Sequence, residues 1–137
     1  MKMSINEETL IGKSHQVSMV VRDRNTAKAM KSGILPVFAT PAMIALMEQA
    51  ASELLGDCLD DHQTSVGTLV NVEHLVASPI GLQITATATI DHVSGRKVEF
   101  TVTASDGKKE IGKGKHTRMI VDIDKFLLKL NKISNYI

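Results

Sequence analysis

The stretch "FATPAMIALMEQAASELLG", Phe38 to Gly56, constrains the fold more than any other part of the chain. Thr40 followed by Pro41 predicts a helix start, a Thr N-cap with Pro at the first helical position. Gly56 predicts the stop, by supplying the left-handed conformation that commonly ends a helix. Between them Ala, Met, Ile and Leu lie on nearly every side, the mark of a helix buried all round.

Glu48 sits badly in such a helix. At about 100° per residue its neighbours on the same face are Pro41, Ile44, Ala45, Ala51, Ser52 and Leu55. None is a cation, so no partner is available one turn away. Glu53 lies toward the frayed end, where solvent reaches it. Unless its face is open to solvent, Glu48 must find a partner elsewhere, keep its proton, or be positioned for chemistry.

The remaining segments supply a sheet to cover the helix. "KSHQVSMVV" (Lys13–Val21) alternates loosely and reads as a strand, followed by an irregular connection with a helical turn after Asn25. After a polar loop, "DCLDDHQTS", come four strand segments. "VGTLVNVEHLVA" is followed by a turn at Pro79 and Gly81. "LQITATATIDHV" puts Ile84, Ala86, Ala88 and Ile90 on one face. "VEFTVTAS" puts Val98, Phe100, Val102 and Ala104 inward, and "EIGKGKHTRMIVD" closes the sheet. "IDKFLLKLNKI" reads as a short amphipathic helix. The order is strand, long apolar helix, then a meander of four strands: an α+β domain whose antiparallel sheet wraps a central helix.

At 137 residues with no linker or repeat, the chain is expected to form a single domain over 1–137. A formal net charge of +1 and 3% aromatic residues give no basis for nucleic-acid binding. One cysteine, Cys58, excludes an internal disulfide and a cysteine-rich zinc site; no metal is expected. "MKMSINEETLIGK" has no signal-peptide core, and no stretch reaches the roughly 20 apolar residues of a membrane span. A soluble, cytoplasmic protein is expected.

Three segments carry a resemblance: "PVFATPAMIALMEQAA", "VGTLVNVEHLVASPIGLQITATATI" and "DGKKEIGKGKHTRMIVD". In order and spacing they resemble the hotdog-fold acyl-CoA thioesterases, and among them the fluoroacetyl-CoA thioesterase-like family, from about Gly12 to Leu130. The resemblance implies a homodimer, or a higher oligomer, hydrolysing acyl-CoA with no cofactor beyond the coenzyme A of its substrate. It implies a catalytic set of Thr40, Glu48 and His74. It matches Gly67 to a glycine whose N–H binds the thioester carbonyl oxygen, and Arg118 to an arginine near the site. Members specific for fluoroacetyl-CoA carry a Phe-rich lid before "FAT". Here "MKSGILPVF" is shorter, has Ile34 and Leu35 in place of aromatics, and retains Phe38 alone, so a small or short-chain acyl group is expected.

Thioester hydrolysis needs an activated nucleophile, a proton donor for the leaving thiol and donors for an oxyanion. A His transfers protons near neutral pH, and a carboxylate in apolar surroundings can orient it, activate water or attack. Each residue also has a structural use. Thr40 is complete as an N-cap, and His74 or His116 as a core or edge histidine. Arg118 can pair with an acid such as Glu73. Lysines 97, 108, 109, 113 and 115 suit coenzyme A phosphates or a solvated strand face equally. "GKGKH" lacks P-loop spacing, and the Asp-to-His spacing of "DCLDDH" lacks the flanks of hotdog hydratases. A non-catalytic acyl-CoA-binding module and an enoyl-CoA hydratase are the rival functions.

Overall fold

The computed structural model describes residues 7–134. Its elements in chain order are α1 (Glu7–Leu10), β1 (Ser14–Val20), α2 (Ala27–Met30), α3 (Thr40–Gly56), β2 (Gln63–His74), β3 (Gln83–Ser94), β4 (Lys97–Ser105), β5 (Glu110–Asp122) and α4 (Ile123–Ser134). The five strands form one antiparallel sheet, α3 packs across one face of it, and α1 is a turn not anticipated from the sequence. The N-terminal leader expectation rests partly on residues 1–6, which lie outside the described residues. No described helix is long and apolar enough to cross a membrane.

The strand order, β1-β3-β4-β5-β2, corrects the expected four-strand meander. Only β3, β4 and β5 follow one another as hairpins. β2 pairs with β5, and the chain crosses the sheet before β3, which pairs with β1. The apolar alternation of β3 reports which face is buried, not which strand is the neighbour. As a result β2 is an edge strand, and its central residues Gly67–Asn71 are exposed.

The alternation within strands is as the sequence predicts. Ile84, Ala86, Ala88 and Ile90 of β3 and Val98, Phe100, Val102 and Ala104 of β4 are all buried under α3. From α3 they meet Ala42, Met43, Leu46, Met47, Ala50, Ala51, Leu54 and Leu55. Gly112 of β5 leaves room for Met43, since a Cβ there would overlap the thioether. The helix is not buried all round, however. Pro41, Ala45, Gln49 and Glu53, spaced one turn apart, form an exposed stripe. Glu53 accepts a hydrogen bond from Gln49 and pairs with His15 at 2.9 Å, so it is anchored where solvation alone was expected.

Both helix ends differ from the sequence reading. Thr40 is the first helical residue; Ala39 is the N-cap, with no side-chain bond, and Pro41 follows in the first turn. The Thr40 hydroxyl is thereby released from capping. At the other end Gly56 remains helical and Asp57 continues right-handed (φ −68°, ψ −17°). The Cys58 and Leu59 N–H groups bond back to Leu55 and Gly56, so this turn carries the chain on without a left-handed residue. α4 is the expected amphipathic helix; it lies on the surface with Leu127, Leu128, Leu130 and Ile133 exposed.

Candidate active site

Two polar groups are built into this frame, one at each end of β2. The first joins the start of α3 to the end of β2. Thr40 Oγ1 and His74 Nδ1 share a hydrogen bond of 2.8 Å. Phe38, 2% exposed, sets its ring edge-on to His74 at 6.1 Å between centroids. Around them Ala27, Val37, Leu75 and Val76 wall a pocket of about 230 Å³. Thr40 thus lies where the free N–H groups of a helix N-terminus favour developing negative charge.

Burial holds His74 below the ordinary imidazole range. The Val76 backbone beside it acts the other way but makes no well-formed hydrogen bond to Nε2, which is buried without a partner among the described residues. The ring is neutral at pH 7. A neutral ring whose Nδ1 meets a hydroxyl can accept that hydroxyl's proton.

The second group answers the question raised by Glu48. Its cation comes from the sheet: Arg118 Nη1 of β5 donates to Glu48 Oε2 at 3.1 Å. Arg118, 7% exposed, also donates from Nε to Ser65 Oγ at 2.8 Å and from Nη2 to the Ser65 carbonyl at 3.0 Å. Its partner is therefore Glu48, and not Glu73. His116 Nε2 accepts from Arg118 Nη1 at 3.2 Å, while its Nδ1 bonds the Leu69 carbonyl at 2.8 Å. Glu48 is half-buried, with 39% of its side chain exposed. Gly67 completes the group: a Cβ there would overlap the Glu48 carboxylate. The register of β2 against β5 shifts between Gly67 and Leu69, placing a bulge at this point.

No hydrogen bond or ion pair joins the two groups among the described residues. Eight helical residues separate Thr40 from Glu48, about 12 Å along the axis. Seven strand positions separate Gly67 from His74, on the order of 20 Å along β2. The structure therefore brings Thr40, His74 and Phe38 together at one end, and Glu48, Gly67 and Arg118 together at the other. None of the five lysines bonds to either group, although Lys97 and Lys115 share a cavity of about 550 Å³ with His116. Lys115 bonds Asp91 and Thr101, Lys109 bonds Asp106, and Lys97, Lys108 and Lys113 are exposed.

Sequence reading undervalued His116 and missed Ser65. The signal for His116 was its place two residues before Arg118, which puts both on one face of a strand. The sequence reads Ser65 as the end of the polar loop, but β2 already begins at Gln63, and the strand buries Ser65 against the guanidinium.

A five-stranded antiparallel sheet wrapped on one long helix is the hotdog fold. The chain matches a hot-dog-like protein from Thermanaerovibrio acidaminovorans with a TM-score of 0.82 and 26% identity, covering 89% of this chain and 90% of that one. Within this fold it is a thioester hydrolase. Residues 21–124 match the family described as fluoroacetyl-CoA-specific thioesterase, and the chain belongs to that family. The fluoroacetyl-CoA thioesterase of Streptantibioticus cattleyicolor is 40% identical over 96 residues, covering 70% of this chain and 69% of that protein. A solved structure of a fluoroacetyl-CoA thioesterase matches with a TM-score of 0.84 and 33% identity, covering 89% of this chain and 95% of that one.

Proposed function

We propose that the protein hydrolyses a small or short-chain acyl-CoA to the free acid and coenzyme A, at a site completed by two protomers. The Thr40–His74 hydrogen bond at the rim of the pocket carries this reading. As Thr40 Oγ attacks the thioester carbon, its proton passes to neutral His74 Nδ1. The N-terminus of α3 and the N–H of Gly67 stabilise the oxyanion. Collapse expels the coenzyme A thiolate, which takes the proton back from His74. Water, deprotonated by Glu48, then attacks the acyl carbon. The acid leaves, and the departing Thr40 Oγ takes up that proton, which restores the free hydroxyl and the Glu48 carboxylate.

One chain cannot supply this set, because Glu48 and Gly67 stand far from Thr40. The exposed edge of β2 offers the remedy. Two β2 strands pairing antiparallel about a two-fold axis near Val70 and Asn71 bring the His74 end of one β2 alongside the partner's Gly67. Pairing also closes an unprotected sheet edge on which Leu69 and Val70 are 50% and 40% exposed. The exposed Ile34 and Leu35 and the small pocket favour a short acyl group without an aromatic lid.

Free-thiol release from a panel of acetyl-, fluoroacetyl-, butyryl- and longer acyl-CoA compounds tests the reading. Turnover is expected to fall as the chain outgrows the pocket. Binding without thiol release would establish an acyl-CoA-binding module in its place, and a hydrated product from enoyl-CoA would establish a hydratase.

A further inference from the structure

The second polar group contains a histidine that the proposed chemistry does not use. His116 is 1% exposed, lies against Phe100 with ring centroids 6.0 Å apart, and approaches Glu48 Oε2 only to 3.8 Å. Its bonds fix its chemical state. Arg118 has no acceptor, so the 3.2 Å contact between Nη1 and Nε2 makes Nε2 the acceptor. The proton of a neutral ring must then be on Nδ1, where it donates to the Leu69 carbonyl at 2.8 Å. A protonated ring would turn Nε2 into a donor facing a guanidinium.

The contact has a structural consequence. Nη1 of Arg118 carries two hydrogens, one directed to His116 and the other to Glu48. With Nε and Nη2 held by Ser65, the planar guanidinium is fixed in place and orientation. Leu69, at the far end of the histidine bond, is the residue where the β2 register resumes after its bulge. His116 therefore ties the bulge to the guanidinium, and through it to the carboxylate that lies against Gly67.

We propose that His116 is a positioning residue, which as its Nδ1–H tautomer aligns Arg118 and, through it, Glu48 beside the Gly67 bulge. It acts through Arg118. The inference rests on the thioesterase reading for its kinetic consequence, and on geometry alone for its tautomer.

The test compares His116→Phe with His116→Gln. Phe keeps a flat ring against Phe100 but removes both polar contacts. Gln can donate to Leu69 from its amide nitrogen and accept from Arg118 at its oxygen. In the Phe variant kcat is expected to fall on the order of 10² with KM within about threefold, because a misplacement near 1 Å can cost that much. The Gln variant is expected to recover to within about tenfold of the parent at similar thermal stability. Equal kcat in parent and Phe variants, or equal losses in Phe and Gln that follow their stabilities, would overturn it. Nitrogen-15 NMR of the unmodified protein gives a second reading independent of turnover. At pH 7 the His116 Nε2 resonance should be of the unprotonated type and Nδ1 of the protonated type; the reverse pattern would also overturn the proposal. A parent protein that releases no thiol from any acyl-CoA, yet shows this tautomer, would sink the enzymatic reading and leave the positioning of Arg118 intact.

Discussion

At the scale of single residues, Glu48 shows how a charge can occupy a largely apolar helix. It meets a guanidinium delivered by another element. Two substitutions separate its roles. Glu48→Gln keeps a hydrogen-bond acceptor for Arg118, so the fold should survive while turnover drops on the order of 10² or more, the usual size for losing an acid–base group. If Thr40 carries the acyl group, mass spectrometry of this variant after mixing with substrate should show an added acyl mass on Thr40; an unmodified protein would refute the two-step route. Glu48→Leu strands a nearly buried Arg118. Such losses reach about 3–5 kcal/mol for fully buried pairs, and the partial exposure of Glu48 lowers the expected cost to roughly 1–3 kcal/mol. Gly67→Ala should lower kcat and stability together. The added Cβ overlaps the Glu48 carboxylate and comes within 3.2 Å of the buried His116 ring, so Glu48 must leave Arg118, and the denaturation midpoint should fall with kcat.

At the scale of elements, β2 carries most of the functional argument, since it holds His74 at one end and Gly67 near the other. Replacing exposed Leu69 and Val70 together with Lys should leave the strand's pairing to β5 intact but prevent pairing of two edges by charge repulsion. Light scattering is expected to show a monomer with unchanged circular dichroism and no turnover; an active monomer would remove the composite site. The same strand marks where the sequence was legible and where it was not. Alternation identified β3 and β4, because burying one face imposes a period of 2 on a strand, and the long helix was legible from its unbroken apolar run. Neither signal could give strand order, which depends on how the Leu75–Leu82 connection crosses the sheet. Thr40 and His74 were legible through their motifs, but the bond between them was not. It exists because Ala39, and not Thr40, caps the helix. The Arg118 ligands were hidden for the same reason as the strand order: Ser65 meets Arg118 only once β2 is known to lie beside β5.

At the scale of the whole molecule, a buried histidine, a half-buried one and a divided site make separate predictions. His74 and His116 are both held below the ordinary imidazole range, by burial foremost. The folded state therefore binds fewer protons than the unfolded one, and stability rises with pH across this window. It should be fully present above about pH 6.5 and lost as pH falls through the two lowered values, measured as urea midpoints at fixed protein concentration. The acid limb of kcat/KM, set by His74 as base, should likewise lie below pH 6.5; a midpoint above about 7 would exclude neutral His74 from the reaction. The divided site gives the sharper test. In a His74→Ala protein every site lacks the base, and in a Glu48→Gln protein every site lacks the carboxylate. When the two are unfolded together and refolded, mixed dimers combine His74 from one protomer with Glu48 from the other. In a two-fold dimer one of the two sites is then complete and the other doubly damaged, so about a quarter of parental activity should return. If all three residues served within a single chain, neither protomer would carry a full set, and the mixture would stay as inactive as its components.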